Sequence, residues 1–356
     1  MASENKKVRS SNIELMRIIC ILMIISGHYY THGVKYESAP LVNDIFLKIF
    51  GGFSKMSVNC FVLITGYFGA NLKTKRVLPL IKDRWFYSVL VSGVLAALGA
   101  VSVTPRFLLQ TALPLTMCKH NYITTFVVLY FFVPYINILL EKLSKKQFLT
   151  LLLFETIFFS FISTAVRDFS IDMYSYILWM CFLYQIGYYL HQYKPAVPWN
   201  IVMPASLVLL WVCTIFVEPL AHINEKMYFA NKPNSIVLLF ASVSWFGFFA
   251  DLKMKHIPLI NWLSGSTFGV YIIHDDPYMR EFIWTKVFHC SKYLNSNYMI
   301  LHFFASVLII YVVCIAVDKV YRLTLSKPFQ KLWDIITGFA EKAFNKMFGR
   351  MISNIS

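Results

Sequence analysis

The stretch that decides the fold is SNIELMRIICILMIISGHYYTHG, residues 11–33. Crossing a bilayer takes about 20 predominantly apolar residues, and this stretch meets that length. It nevertheless contains the ionisable residues Glu14, Arg17 and His28. An arginine at the centre of a membrane helix costs about 2.5 to 3.5 kcal/mol on the insertion scale, so such residues are usually functional. The stretch therefore predicts a first transmembrane helix that carries part of a functional site.

The composition extends this interpretation to the whole chain. Of the 356 residues, 58% are hydrophobic and 14% are charged, whereas soluble domains carry about 25% charged residues. The composition excludes a water-soluble globular enzyme. The formal net charge of +15 would suggest a nucleic-acid partner in a soluble chain. In a membrane protein it is better explained by loops that face anionic lipid, so no nucleic-acid partner is expected.

The apolar segments predict an all-α, polytopic transmembrane bundle of about ten spans. If the N-terminus is cytoplasmic, 21 basic residues fall in cytoplasmic segments and 9 in external ones, as the positive-inside rule requires. Both termini are then cytoplasmic. The predicted divisions are a cytoplasmic segment 1–12, a membrane domain 13–318 and a basic amphipathic tail 319–356. The predicted spans are 13–30, 45–70, 85–103, 121–140, 148–165, 174–190, 200–217, 235–250, 257–276 and 298–318.

Two segments do not fit a simple span. Residues 105–117 are apolar but short and contain prolines, so we expect a helix in a loop that does not cross the membrane. Residues 257–288 are too long for one span. We expect a span there that ends in an outer turn at Asp275, Asp276 and Pro277, because proline cannot continue a helix.

The ionisable residues of the first helix share one face. From Arg17 to His28 is eleven residues, and at about 100° per residue this is close to three full turns, with a rise of about 16 Å. Glu14 precedes Arg17 by three residues and is close enough to pair with it. An alternative is that Arg17 extends to the nearer membrane surface, while His28 makes only an interfacial hydrogen bond.

Two further polar features are candidate sites. His274 followed by Asp275 would place an imidazole beside a carboxylate, a pairing suited to acid–base chemistry; the alternative is a hydrated helix end. A basic stretch that ends at Trp85 could hold the phosphates of a nucleotide-like cofactor, or could serve only to fix the topology. Its candidate cofactor-binding residues are Lys73, Lys75, Arg76, Lys82 and Arg84.

These motifs together resemble the acyltransferase-3 family of integral membrane acyltransferases. The first is Arg17-x10-His28, preceded by Asn12 and Glu14. Residues 59–67, NCFVLITGY, are similar to the family's FFxxSGY segment, with Thr65 at the position of serine. Residues 266–274, STFGVYIIH, are similar to its TFGIYLIH segment. The resemblance covers residues 10–318, although the Arg-x-x-Arg of some members is absent.

The resemblance implies transfer of an acyl group, commonly acetyl from cytoplasmic acetyl-CoA, to a hydroxyl of a cell-envelope polysaccharide or its lipid-linked precursor, in a bacterial plasma membrane. We expect His28 to be the base or a transient acyl carrier, Arg17 to orient the donor, and Glu14 to hold Arg17. His274 with Asp275 is the second choice for acid–base catalysis. No metal is expected. A secondary transporter or flippase for a lipid-linked sugar is the alternative, and a catalytically silent scaffold is a third possibility.

Overall fold

The computed structural model describes residues 9–35, 39–69, 74–117, 121–166, 176–217, 232–331, 333–335 and 337–338. Within these ranges every regular element is a helix, so the prediction of an all-α chain is confirmed. The helices are α1 Ser11–His28, α2 Leu41–Tyr67, α3 Thr74–Ala97, α4 Pro105–Ala112, α5 Asn121–Lys142, α6 Lys145–Thr156, α7 Tyr176–Tyr193, α8 Trp199–Val212, α9 Ile236–Asp251, α10 Pro258–Ser264, α11 Thr267–His274, α12 Pro277–Glu281, α13 Cys290–Tyr293 and α14 Met299–Val320.

Six helices, some of them prolonged by π-helical turns, are long and apolar enough to cross a membrane. The first runs from Ser11 to Gly33, so the deciding stretch is a single spanning helix, as predicted. A seventh helix, Ile236–Asp251, is apolar but shorter. The chain is therefore a transmembrane helical bundle, while the count of ten spans and the cytoplasmic termini stay predictions. Besides Ser11–Gly33, the helices long and apolar enough to cross a membrane are Leu41–Tyr67, Asn121–Lys142, Lys145–Ala165, Trp199–Val217 and Met299–Ile335.

Helix α1 lies between two hydrophobic cores. Its first half contributes Ile13 and Met16 to a core formed mainly by α2 and α5 to α9. Its second half contributes Ile24 and Ile25 to a core formed mainly by α3, α11 and α14. Because apolar partners pack along α1, Glu14 and His28 are largely covered by protein, while the Arg17 side chain keeps 32% of its surface accessible. The position of α1 explains why it can carry a site that both halves of the chain complete.

Close contact between α2 and α7 depends on two glycines. A Cβ atom added to Gly66 would collide with the backbone of Tyr184, and one added to Gly187 would collide with the carbonyl oxygen of Leu63. Any larger side chain would therefore push the two helices apart. Gly66 belongs to the NCFVLITGY segment, and its role in the structure is packing.

The structure changes two details of the predicted topology. Helix α3 begins at Thr74, eleven residues before the predicted span, so the basic stretch is helical from residue 74 onward. The end of this stretch, at Lys82 and Arg84, is buried. Residues 257–276 form two short helices, α10 and α11, separated at Gly265 and Ser266. The expected loop helix is present as α4, which packs against α3.

Candidate active site

A buried acidic turn separates α11 from α12. Helix α11 ends at His274, and Pro277 occupies the first turn of α12, where the missing N–H of proline costs nothing. Asp276 caps α12, since its Oδ1 accepts a hydrogen bond from the backbone N–H of Tyr278 at 3.1 Å. His274, Asp275 and Asp276 are 0%, 2% and 0% exposed. The alternative of a hydrated helix end with acids facing solvent is therefore wrong.

His28 of α1 meets this turn. Its Nδ1 lies 3.0 Å from Nε2 of His274 and 3.3 Å from Oδ1 of Asp275. The two histidines are 246 residues apart in the chain. His28 keeps 16% of its side chain accessible, whereas His274 is fully covered. Of this trio, His28 is the group that a reactant can reach.

The hydrogen bonds determine where the proton of each neutral imidazole lies. Nδ1 of His274 is 2.6 Å from the carbonyl oxygen of Val270, and a carbonyl can only accept, so this nitrogen is protonated. Nε2 of a neutral His274 is then an acceptor. It follows that Nδ1 of His28 donates its hydrogen toward His274 and Asp275. Nε2 of His28 is left unprotonated, which is the state that a general base requires.

Arg280 of α12 completes the centre, and the sequence interpretation missed it. Its Nε donates to Oδ1 of Asp275 at 2.7 Å and to the backbone oxygen of the same residue at 3.0 Å. A charge-assisted bond of this kind orients a carboxylate strongly. The only signal in the sequence was a basic residue one turn after the Asp-Asp-Pro break, which is too common a pattern to be selected.

Glu14 and Arg17 form a pair near the N-terminal end of the same helix, α1. Nε of Arg17 is 3.8 Å from Oε1 of Glu14, and the Arg17 side chain is 32% accessible. Because the rise along α1 is about 16 Å, this pair does not touch the histidines. Asn12 ties the start of α1 to α9, since its amide donates to the backbone oxygen of Phe249 at 2.9 Å. The five candidate catalytic residues therefore form two groups. His28, His274 and Asp275 lie together at the acidic turn, and Glu14 and Arg17 lie about three helical turns closer to the N-terminal end of α1.

The predicted cofactor-binding residues do not form one exposed patch. Lys73 and the side chains of Lys75 and Arg76 lie outside the described residues. Lys82 is buried, and its Nζ donates to Oε1 of Gln330 at 2.7 Å. Arg84 is 0% exposed. Lys82 is thus engaged within the protein, and Arg84 is buried where a phosphate cannot reach it without a rearrangement.

Among the described residues, His28, His32 and Asp275 come nearest to a metal-binding group. Their candidate ligand atoms lie within 4.8 Å of one another, whereas zinc ligands at 2.0 to 2.2 Å from the ion are about 3.4 Å apart. Asp275 is already neutralised by Arg280. The nearby cation favours proton transfer over metal binding as the use of this group.

The class that emerges is a transmembrane helical bundle with a histidine–aspartate centre inside it. A model of the family described as an acyltransferase domain, Acyl_transf_3, matches residues 10–319. The chain therefore belongs to the acyltransferase-3 family, as its motifs indicated. No curated protein and no solved structure matches it significantly. The family establishes a membrane acyltransferase, and the donor and acceptor have to be argued from chemistry.

Proposed function

We propose that the protein is an O-acyltransferase of a bacterial plasma membrane that transfers acetyl from acetyl-CoA to a hydroxyl of an envelope polysaccharide or its lipid-linked precursor. The observation that carries this proposal is the orientation of His28 by His274 and Asp275. A sugar hydroxyl is a weak nucleophile at its own pKa and needs a positioned base. General-base catalysis typically contributes about 10²- to 10⁴-fold.

In the proposed reaction the acyl group passes directly from the thioester to the acceptor, and His28 takes up and returns one proton. The acceptor oxygen attacks the thioester carbonyl carbon while its proton moves to Nε2 of His28. The carbon–sulfur bond then breaks, and the CoA thiolate leaves with the proton that His28 returns. Asp275 faces the transient imidazolium at 3.3 Å and stabilises its charge. Nε2 of His274 holds the His28 ring in place by accepting the hydrogen bond from Nδ1 of His28.

Arg17 has a separate role in this proposal. It lies three turns closer to the N-terminal end of α1, which is cytoplasmic in the predicted topology, and its side chain remains partly accessible. A partly accessible guanidinium inside a bundle suits the orientation of an anionic or polarised donor. Glu14 keeps the guanidinium in place and limits the cost of its burial.

The test is an assay in proteoliposomes with acetyl-CoA and an envelope-glycan fraction, read out as released CoA thiol and as alkali-labile acetyl on the glycan. We expect His28→Ala to lower turnover by about 10³-fold, while His256→Ala, at an exposed histidine, serves as the matched control. Undiminished transfer by His28→Ala would contradict the assignment. Counterflow of a lipid-linked sugar without acyl transfer would favour the transporter alternative instead.

A further inference from the structure

Six consecutive residues near the middle of α3, residues 82–87, interact with other parts of the bundle. Lys82 bonds to Gln330, and Trp85 donates from Nε1 to the backbone oxygen of Ala112 at 3.0 Å. Asp83 and Tyr87 bond to the end of α14 and the turn after it, and Phe86 stacks on an aromatic ring of that turn. Arg84, in the same run, lies close enough to the acidic turn of the active site for its carboxylates to attract the guanidinium.

Arg84 belongs to a buried, charge-balanced group. Its attractive electrostatic partners are Asp276, Tyr271 and Asp275, with Asp276 the strongest, and α3 packs against both α11 and α12. Arg84 and Arg280 supply two positive charges, and the two aspartates supply two negative charges. Removal of one member of such a group leaves an uncompensated buried charge. This destabilises a protein more than the replacement of both members of an ion pair by uncharged residues.

We propose that Arg84 is a positioning residue for His28 that acts through the acidic turn; the inference rests on the proposed function. Asp276 attracts the positive charge of Arg84 across the packed helices α3 and α12, and Asp276 caps the first turn of α12. Arg280 reaches back from that helix to orient Asp275, and Asp275 contacts Nδ1 of His28. The links from Asp276 to His28 are hydrogen bonds or ion pairs, and the first link is the attraction between a buried guanidinium on α3 and the buried carboxylate that caps the neighbouring α12. A shift of Arg84 is therefore transmitted to the base.

The competing role for Arg84 is to bind the donor phosphates. Phosphate binding requires an arginine that solvent can reach, but Arg84 is 0% exposed. Its surroundings also carry negative charge, which repels a phosphate. The two roles predict different kinetics, because a donor-binding arginine affects the donor KM and a positioning residue affects kcat.

The test compares Arg84→Gln, Asp276→Asn, the double variant and Arg84→Lys in the proteoliposome assay. We expect Arg84→Gln to lower kcat about 100-fold, the cost of misplacing a reacting group by about 1 Å, with the acetyl-CoA KM unchanged. The double variant has no unpaired buried charge, so it should recover at least tenfold over Arg84→Gln. Arg84→Lys keeps the charge and should also recover activity. Arg106→Gln, at an exposed arginine of α4, is the control.

Three results would overturn the inference: wild-type kinetics in Arg84→Gln, a raised donor KM with normal kcat, or a double variant no better than Arg84→Gln. If Arg84→Gln fails to insert, the double and lysine variants decide, since both keep the charge balanced. Wild-type protein that releases no CoA would contradict the proposed function, and this inference with it. An active wild type with an unaffected Arg84→Gln would contradict only the inference.

Discussion

Two regions of the bundle bury aspartates beside arginines, and they differ in what surrounds the carboxylates. In the active-site region, Asp275 faces Arg280 and His28. In a second region, at the end of α14, Arg322 bonds to Asp318 at 2.7 Å and lies 3.6 Å from Asp83. This second region, the α14 network, also includes the hydroxyls of Tyr87 and Tyr321, which donate to the two aspartates at 2.5 and 3.1 Å.

The difference lies in the acid–base capacity of the neighbours. Tyrosine hydroxyls and arginine hold their protons at neutral pH. The α14 network therefore stabilises one arrangement of the helices and exchanges no protons. The active-site region instead places two imidazoles beside its carboxylate, and imidazole gains and loses protons near neutrality. Buried ion pairs alone therefore do not identify a catalytic centre in this protein. The histidines, and the accessibility of one of them, do.

Among the substitutions that compare the two regions, the replacement of Asp275 should have the largest effect on activity. Asp275→Asn removes the charge that faces His28 and leaves Arg280 without its carboxylate. We expect kcat to fall by about 10²- to 10³-fold, a loss comparable to that of a removed electrostatic contact at other active sites. CoA release at saturating acetyl-CoA measures it. A variant with wild-type kcat would remove the distinction between the two regions.

The corresponding change in the α14 network should affect stability instead. Asp318→Asn weakens the bonds to Arg322 and Tyr87, and hydrogen bonds to charged groups contribute about 1.5 to 3 kcal/mol each. We expect the free energy of unfolding in detergent to fall by about 2 to 3 kcal/mol. Turnover per folded molecule should stay at the wild-type value. Loss of turnover without loss of stability would show that this network also takes part in catalysis.

Helix packing can be tested at a third place, between α2 and α7. Gly66→Ala adds a methyl group against the backbone of Tyr184, and overpacking of this kind costs about 1 to 3 kcal/mol. Gly93→Ala is the matched control, since a Cβ there meets nothing within 4 Å. Thermal unfolding of the two variants should differ by several degrees. Equal stability would show that α2 and α7 can separate without cost.

The sequence was sufficient for the fold class and for half of the candidate site. Hydropathy alone predicted a transmembrane helical bundle, because apolar length is a local property of the chain. The Arg17 and His28 spacing was likewise local to one helix. The contact of His28 with His274 joins residues 246 positions apart, and no periodicity reports on such a pairing. The motif resemblance selected both histidines without showing that they meet.

The remaining errors have a common physical cause. The basic stretch was interpreted as a cytoplasmic loop because charge normally marks loops, yet Lys82 and Arg84 are buried, and Lys82 bonds to Gln330. Arg280 bonds to Asp275 only five residues away, but it was missed because the sequence does not show that this carboxylate is buried. Charge compensation between distant helices is a tertiary property. Composition and spacing describe single segments and cannot show it.

The smallest expected effect compares one tyrosine from each region. Tyr271→Phe removes a hydroxyl that hydrogen-bonds Asp275, and Tyr87→Phe removes one that bonds Asp318. Each loses about 1 kcal/mol of hydrogen bonding, which corresponds to about a fivefold change in an equilibrium or a rate. We expect this loss to appear as a several-fold lower kcat in Tyr271→Phe and as a lower Tm with normal kcat in Tyr87→Phe. If both variants lose only stability, the acidic turn stabilises the fold and does not position His28 for catalysis.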